Sequence, residues 1–372
     1  MIANNSKIID FFRWFSAFVV VISHARRMTF LEHADISHSN ILIKFFYFVT
    51  GFGHQAVMIF FVLSGFLVAG SLLNQSELSS YNLKKYSINR FSRIYPPLFG
   101  ALLLTALITL LVNTILGDPW LYNDLSNNNH YSKLQATSYD LVTFVGNLLA
   151  LQTVYVSEYG YNIPLWSLAN EIWYYIWFPI LLLLFNPNEN LLKKLFFGVL
   201  IIFLFWFIGF NITLYFLIWL MGAFLNFLPT SSSLAYKYLS WISFFMILFI
   251  SRTNYFEWNR EIYDFLISIS FCFILLTNLE GFEIKNLFLA KINKAFADFS
   301  YSLYLIHYPI IILIATYSSK KFDYGFNIEP NLTSILFFSI LVLFSTIMAY
   351  IFSLFTEKNS KYLRKYLYTY LQ

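Results

Sequence analysis

The sequence predicts an all-α fold: a polytopic membrane helix bundle of about ten transmembrane helices, forming one membrane-embedded domain over residues 1–372. Two observations carry this. Hydrophobic residues make up 59% of the chain and charged residues only 12%, roughly half the charged share of an ordinary soluble domain, and mean hydropathy is +0.63. Apolar runs of about 20 residues, enough to cross a bilayer as a helix, recur along the whole length.

The spans fall at 8–24, 54–73, 97–116, 165–185, 192–209, 212–228, 235–251, 262–279, 299–317 and 332–355. The first ends in "SHARR", which lacks a small-residue cleavage pattern and reads as a retained span rather than a signal peptide. The third is opened by Pro96-Pro97, because proline suits a helix start. Several spans are short for a perpendicular crossing, so their ends are buried by protein or reach the interface. "NLLALQTV" (147–154) is too short to cross and reads as an interfacial or re-entrant piece.

Loop charge gives direction. With the N-terminus inside, the inner segments hold fifteen Lys and Arg: Lys7; Lys84, Lys85, Arg90, Arg93; Lys193, Lys194; Lys237; Lys285, Lys291, Lys294; Lys358, Lys361, Arg364, Lys365. The outer loops hold eight: Arg26, Arg27, Lys44; Lys133; Arg252, Arg260; Lys320, Lys321. Both termini are therefore expected in the cytoplasm, and 117–163 is the longest outer loop. The net charge of +5 is spread over loops, so it reports topology and not nucleic-acid binding. The single cysteine, Cys272, excludes a disulfide within the chain. There is no internal repeat, phosphate-binding glycine loop, HExxH or GxSxG motif, and no His/carboxylate set at metal-ligand spacing within a span.

The informative residues are ionisable groups inside the spans, where they are expensive and tend to be functional. Arg13 and His24 are eleven positions apart, so they fall within about 20° on one helix face and roughly 16 Å apart along it. They line one groove without touching, and Asp10 is placed to pair with Arg13. The alternative is that Arg13 snorkels and His24 caps the span at the interface. In "AVMIFFVLSGFLVAGSLL" the small residues Ser64, Gly65, Gly70 and Ser71 permit close helix contact. Arg90 and Arg93, at i,i+3 in "NRFSRIYPP", suit a phosphate-bearing ligand at an inner mouth, or simple anchoring. Glu171 lies six residues inside the fourth span, at a depth comparable with His24 from the same side, so a carboxylate–imidazole pair is expected between them. His307 is mid-span in the ninth helix, near Ser300 and Ser302; the remaining histidines, His33, His38, His54 and His130, fall in loops or at span edges.

These segments resemble the membrane acyltransferase-3 family, the bacterial surface-carbohydrate O-acetyltransferases. "IIDFFRWFSAFVVVISH", "FFVLSGFLVAG" (60–70), "RFSR" (90–93), "LWSLANEIWYYIWFP" (165–179) and "SYSLYLIHYP" (300–309) come in the family's order over nearly the whole chain. There are departures. Phe11, Phe12, Trp14 and Phe15 stand where the family has glycines around its first arginine, and Ile172 replaces a second acid after Glu171. The chain stops soon after its tenth span, so it resembles the stand-alone form without an extracytoplasmic hydrolase-like domain.

The resemblance implies an acyltransferase of the bacterial inner membrane, multi-pass, using acetyl-CoA as donor and no metal. The acceptor would be a hydroxyl of a surface or lipid-linked glycan such as lipopolysaccharide. His24 and Glu171 would be catalytic, Glu171 orienting and charge-stabilising His24, and His24 either deprotonating the sugar hydroxyl or briefly carrying the acyl group. Arg13, Arg90 and Arg93 would hold the CoA phosphates. Asp10, Ser64, Tyr175, Ser300 and His307 would line the site. An extended pantetheine arm, on the order of 15–20 Å by bond-length arithmetic, matches the rise from Arg13 to His24. The partners expected are acyl-CoA, the glycan and membrane lipid, with no nucleic acid. Competing readings from other classes are a flippase of lipid-linked sugar, which predicts broken helices in symmetric halves, and a polysaccharide polymerase, which usually needs a larger outer loop than 117–163.

Overall fold

In hydrocarbon a backbone must satisfy its own amides, and the helix does so within each segment. The computed structural model describes residues 7–37, 40–73, 80–117, 137–231, 233–280 and 282–370. Among the described residues there are isolated β-bridges and no strand. The helices, in order, are α1 (Lys7–Thr29), α2 (Ile41–Val49), α3 (Gly53–Leu73), α4 (Ser80–Leu111), α5 (Leu141–Leu148), α6 (Leu165–Phe185), α7 (Leu191–Ile208), α8 (Phe210–Phe224), α9 (Leu234–Thr253), α10 (Arg260–Asn278), α11 (Leu287–Ala297), α12 (Ser300–Phe322), α13 (Leu332–Phe355) and α14 (Ser360–Thr369). Among the described residues ten candidate spans are long and apolar enough to cross a membrane; they contain α1, α3, α4, α6–α10, α12 and α13. The ten predicted spans are all present. Because ten successive crossings alternate, the start of α1 and the end of α13 lie on one side of the bundle, called here the terminal face.

Burial separates centre from rim. The apolar window of α12 is 78% buried, whereas those of α7 and α9 are only 11% buried. Leu191, Leu192, Ile202 and Trp206 on α7 are exposed although apolar, as expected where lipid is the solvent. At the centre, α3 and α8 touch backbone to backbone. A Cβ on Gly65 would lie 1.9 Å from the Trp219 carbonyl oxygen, and a Cβ on Gly222 2.0 Å from that of Val62. The pair of glycines is what allows this approach.

Two elements differ from expectation. The third span does not start at Pro97: α4 begins at Ser80 and runs through Pro96 and Pro97. A proline removes one ladder bond, a loss that packed neighbours can compensate inside a membrane bundle. Arg90 and Arg93 therefore lie on a helix and share a face. The second difference is the segment before α6. After α5 the chain turns at Ala150 and Thr153, both with positive φ, and it packs inward. Gln152 and Asn162 are fully buried. Gln152 Nε2 donates to Leu165 O at 3.0 Å, and Asn162 Nδ2 donates to Leu305 O at 2.9 Å. The piece read as interfacial or re-entrant is thus a short helix ending in an inward-packed turn. The 117–163 loop lies partly outside the described residues.

Gly65→Ala is expected to destabilise the detergent-solubilised protein by about 1–3 kcal/mol or more, because the added methyl meets a backbone carbonyl. Gly198→Ala, whose Cβ would find its nearest neighbour at 3.9 Å, should leave the thermal midpoint unchanged. Equal midpoints for the two variants would show that the α3–α8 contact tolerates expansion.

Candidate active site

One cavity of about 840 Å³ opens among α1, α3, α4, α6, α12 and the C-terminal turn, within the size range of small-molecule sites. Its walls gather eight residues singled out from sequence: Asp10, Arg13, Ser64, Arg90, Arg93, Glu171, Tyr175 and Ser300. His24 and His307 are not among its lining residues.

The close approach of α3 and α8 sets Ser64, the neighbour of Gly65, into a polar knot. Trp219 Nε1 donates to Ser64 Oγ at 3.1 Å, and Ser64 Oγ donates to Glu171 Oε1 at 2.6 Å. The Tyr175 hydroxyl also donates to Glu171 Oε1 and lies 3.1 Å from Ser64 Oγ. Two hydroxyls on one carboxylate oxygen are what a carboxylate in an apolar bundle requires. Tyr86 OH donates to Tyr175 O at 3.0 Å, and the Arg90 guanidinium lies 5.8 Å from the Tyr175 ring centre and 3.2 Å from Ser71 Oγ. The knot thus reaches from α8 through α3 and α6 to the arginines of α4.

The acids near the terminal face are already engaged. Asp10 pairs with Arg13 at 3.6 Å, as its spacing predicted, and with Lys294 at 3.9 Å. Lys294 also holds Asp298 at 2.8 Å. Glu357 Oε2 accepts from Ser302 N at 3.2 Å and Ser302 Oγ at 2.9 Å. Among the described residues, Arg90 and Arg93 form no ion pair, so their charge faces the cavity.

The expected His24–Glu171 pair is not the arrangement seen. Glu171 is held by Ser64 and Tyr175. The His24 ring lies 5.4 Å from that of His307 and 4.9 Å, edge-on, from that of Tyr308. The reason is the register of α6. Tyr304 OH, on α12, contacts Ser167 Oγ at 2.5 Å and Pro164 O at 2.9 Å, so the start of α6 is level with the second turn of α12 and sunk within the bundle. From there α6 runs toward the terminal face and α12 away from it. Four residues one way to Glu171 and three the other way to His307 separate them by about 10 Å along the axis. The sequence reading placed the start of α6 at the membrane surface, and therefore placed Glu171 too far out.

His307 is fully buried. Its Nδ1 lies 2.8 Å from Tyr304 O and 3.1 Å from Leu303 O. Carbonyls only accept, so Nδ1 carries the hydrogen and a neutral ring keeps its lone pair on Nε2. Tyr304, which lines the cavity, has its ring 6.0 Å from that of His307. The order from cavity to far side is Tyr304, His307, His24.

A carboxylate–imidazole pair does exist, and it lies elsewhere. His54 Nε2 is 2.8 Å from Asp264 Oδ2, which also accepts from Tyr215 OH at 3.2 Å. The His54 ring stacks at 6.5 Å and 18° with Trp166, and Asp264 is buried. His54 had been set aside as a span-edge residue and Asp264 was not singled out. They are 210 positions apart, with no local pattern to link them. His38 and His130 lie outside the described residues.

A family model described as an acyltransferase domain matches residues 6–354. No curated protein and no solved structure matches the chain.

His54→Gln and Asp264→Asn, made singly and together, are expected to show a coupling energy of about 0.5–3 kcal/mol in a double-mutant unfolding cycle. Strictly additive losses would show that the contact contributes nothing to the bundle.

Proposed function

The chain belongs to the membrane acyltransferase-3 family and is a multi-pass membrane acyltransferase; from that premise we propose that it moves an acetyl group from cytoplasmic acetyl-CoA to a hydroxyl of a surface or lipid-linked glycan across the bacterial inner membrane. The observation that carries this reading is the cavity. It joins a cation cluster near the terminal face, Arg13, Arg90 and Arg93, to a wall of Ser64, Glu171, Tyr175 and Tyr304. That pattern fits a ligand with a phosphate head and a long, weakly polar arm. Guanidiniums bind phosphate oxygens in pairs, and the pantetheine arm lies along the hydroxyl wall with its thioester toward Tyr304. The excess of inner Lys and Arg supports the terminal face as cytoplasmic.

His24 is the base. It takes the proton of the acceptor hydroxyl, and the oxygen bonds to the thioester carbonyl carbon. The tetrahedral intermediate then expels the CoA thiolate, which recovers the proton from the imidazolium. His307 flanks the His24 ring, and its backbone-bound Nδ1–H fixes its orientation. Glu171 orders Ser64 and Tyr175 in the donor wall. The acceptor approaches from the far side, where His54, Asp264, Trp166 and Tyr215 offer hydrogen-bonding groups beside aromatic faces.

Membranes carrying the wild-type chain are expected to transfer label from acetyl-CoA to glycan. His24→Ala should lower that rate by about 10²–10⁴-fold while the purified protein keeps its thermal midpoint; undiminished transfer would remove His24 from the chemistry. Arg90→Ala and Arg93→Ala should each raise the KM for acetyl-CoA with little change in kcat. An unchanged KM would dismiss the phosphate assignment.

A further inference from the structure

The C-terminal helix is oriented in an unusual way. The family match ends at residue 354, and α14 follows it. Its Tyr362 and Tyr366, and Tyr370 just beyond it, are exposed at 63%, 59% and 74%. Its opposite face turns Lys361 and Arg364 to the cavity, joined by Lys358 from the preceding 3-10 turn. These positions follow the i, i+3 spacing of one helix face. Tyr368, four residues beyond Arg364 on that face, donates to Asn89 Oδ1 at 2.6 Å, which ties the helix beside Arg90. Lys358, Lys361 and Arg364 are thus exposed cations at the rim of the cavity, and the tyrosine rings lie outward where amphipathic rings suit a membrane interface.

These cations lack acidic partners. Among the described residues Lys358, Lys361 and Arg364 form no ion pair; Lys358 and Lys361 each lie 5.1 Å from a tyrosine ring centre. The neighbouring acids are engaged elsewhere, Asp10 and Asp298 by Lys294 and Glu357 by Ser302. The cavity thus has two separate sets of cations outside any ion pair among the described residues, Arg90 and Arg93 on α4 and a second set on the C-terminal segment, with Glu357 as the one acid near Arg93.

We propose that Lys358, Lys361 and Arg364 form a second anion subsite at the cavity mouth, which takes the terminal phosphomonoester of the nucleotide donor while Arg90 and Arg93 take its diphosphate. This rests on the acyl-CoA reading. In that molecule the diphosphate sits next to the pantetheine arm and the ribose phosphate is the outermost group. A phosphomonoester carries about −1.5 to −2 charge at neutral pH, enough to engage two or three cations. A lipid phosphate offers similar chemistry, so the test must separate the two sources.

The test compares acetyl-CoA with acetyl-3′-dephospho-CoA, using purified full-length protein in neutral phosphatidylcholine vesicles and in vesicles with added phosphatidylglycerol. Binding is read by calorimetry and turnover by thioester consumption. The wild-type chain should prefer the phosphorylated donor, and the Lys361→Ala/Arg364→Ala variant should lose that preference. Its KM for acetyl-CoA should rise about tenfold, its KM for the dephospho donor should stay put, and the Lys361→Arg/Arg364→Lys variant should restore discrimination. Equal losses on both donors, or an effect that appears only with phosphatidylglycerol, would overturn the subsite in favour of a structural or lipid-binding role. A wild-type chain that binds acetyl-CoA without preferring it to the dephospho form would also overturn it. If wild type binds neither thioester, the donor reading itself fails and the subsite falls with it.

Discussion

The Tyr304 hydroxyl is the joint on which the site's geometry turns. It meets Ser167 Oγ and Pro164 O at the start of α6, and so fixes how far that helix is sunk beside α12. A buried hydroxyl with two partners is costly to disrupt, because each partner would be left unsatisfied. Asn162, also fully buried, repeats the tie through Leu305 O. With this register set, Glu171 must fall on the terminal-face side of Tyr304, and His307 and His24 on the other. The Ser64–Glu171–Tyr175 wall and the histidine pair are products of one contact.

Much of this was legible in the sequence, because membrane helices announce themselves by length and hydropathy. All ten spans could be read that way. So could local pairs: Asp10 and Arg13 are one turn apart and meet, and Arg90 and Arg93 share a face. Ser64-Gly65 marked close packing, since a small residue has few other uses in a span. What could not be read was depth. The chain from 149 to 164 packs inward through side-chain bonds from Gln152 and Asn162, and hydropathy does not register such bonds. Residues Glu171 and His24 seemed level only because both were counted from an assumed membrane surface. The His54–Asp264 pair was invisible for a different reason: it joins α3 to α10, and no periodicity relates residues on distant helices.

Electrostatics divides the cavity lengthwise. Near the terminal face, Asp10 and Asp298 pair with Arg13 and Lys294, and with Glu357 the only other acid there, cations on α4 and on the C-terminal segment outnumber acids. Further in, the Glu171 carboxylate is held by hydroxyls, and among the described residues no cation pairs with it; Arg90 lies against the Tyr175 ring beside it. A polyanionic head is thereby favoured at one end, and the Glu171 charge disfavours its moving deeper. Only a part of the ligand that is close to neutral can lie against the Ser64–Glu171–Tyr175 wall. The separation of charge along the cavity would thus set both which end of a nucleotide thioester leads and how far it advances.

This leaves the passage from cavity to histidine. The lining includes Tyr304 and does not include His307 or His24, so the hydroxyl joint would stand between a thioester bound as proposed and the proposed base. A membrane enzyme that bridges two aqueous faces must keep them apart whenever no transfer is under way, and a side chain is the smallest element able to do so. Rotation of the Tyr304 ring would leave its buried partners at Ser167 and Pro164 unsatisfied, at about 1–3 kcal/mol each, a cost that a ligand group taking up the same bonds would offset. Moving a helix would instead disturb the α3–α8 backbone contact, where Gly65 and Gly222 leave no room for sliding. The contrast in cost argues that the route opens at the tyrosine while the surrounding helices hold still.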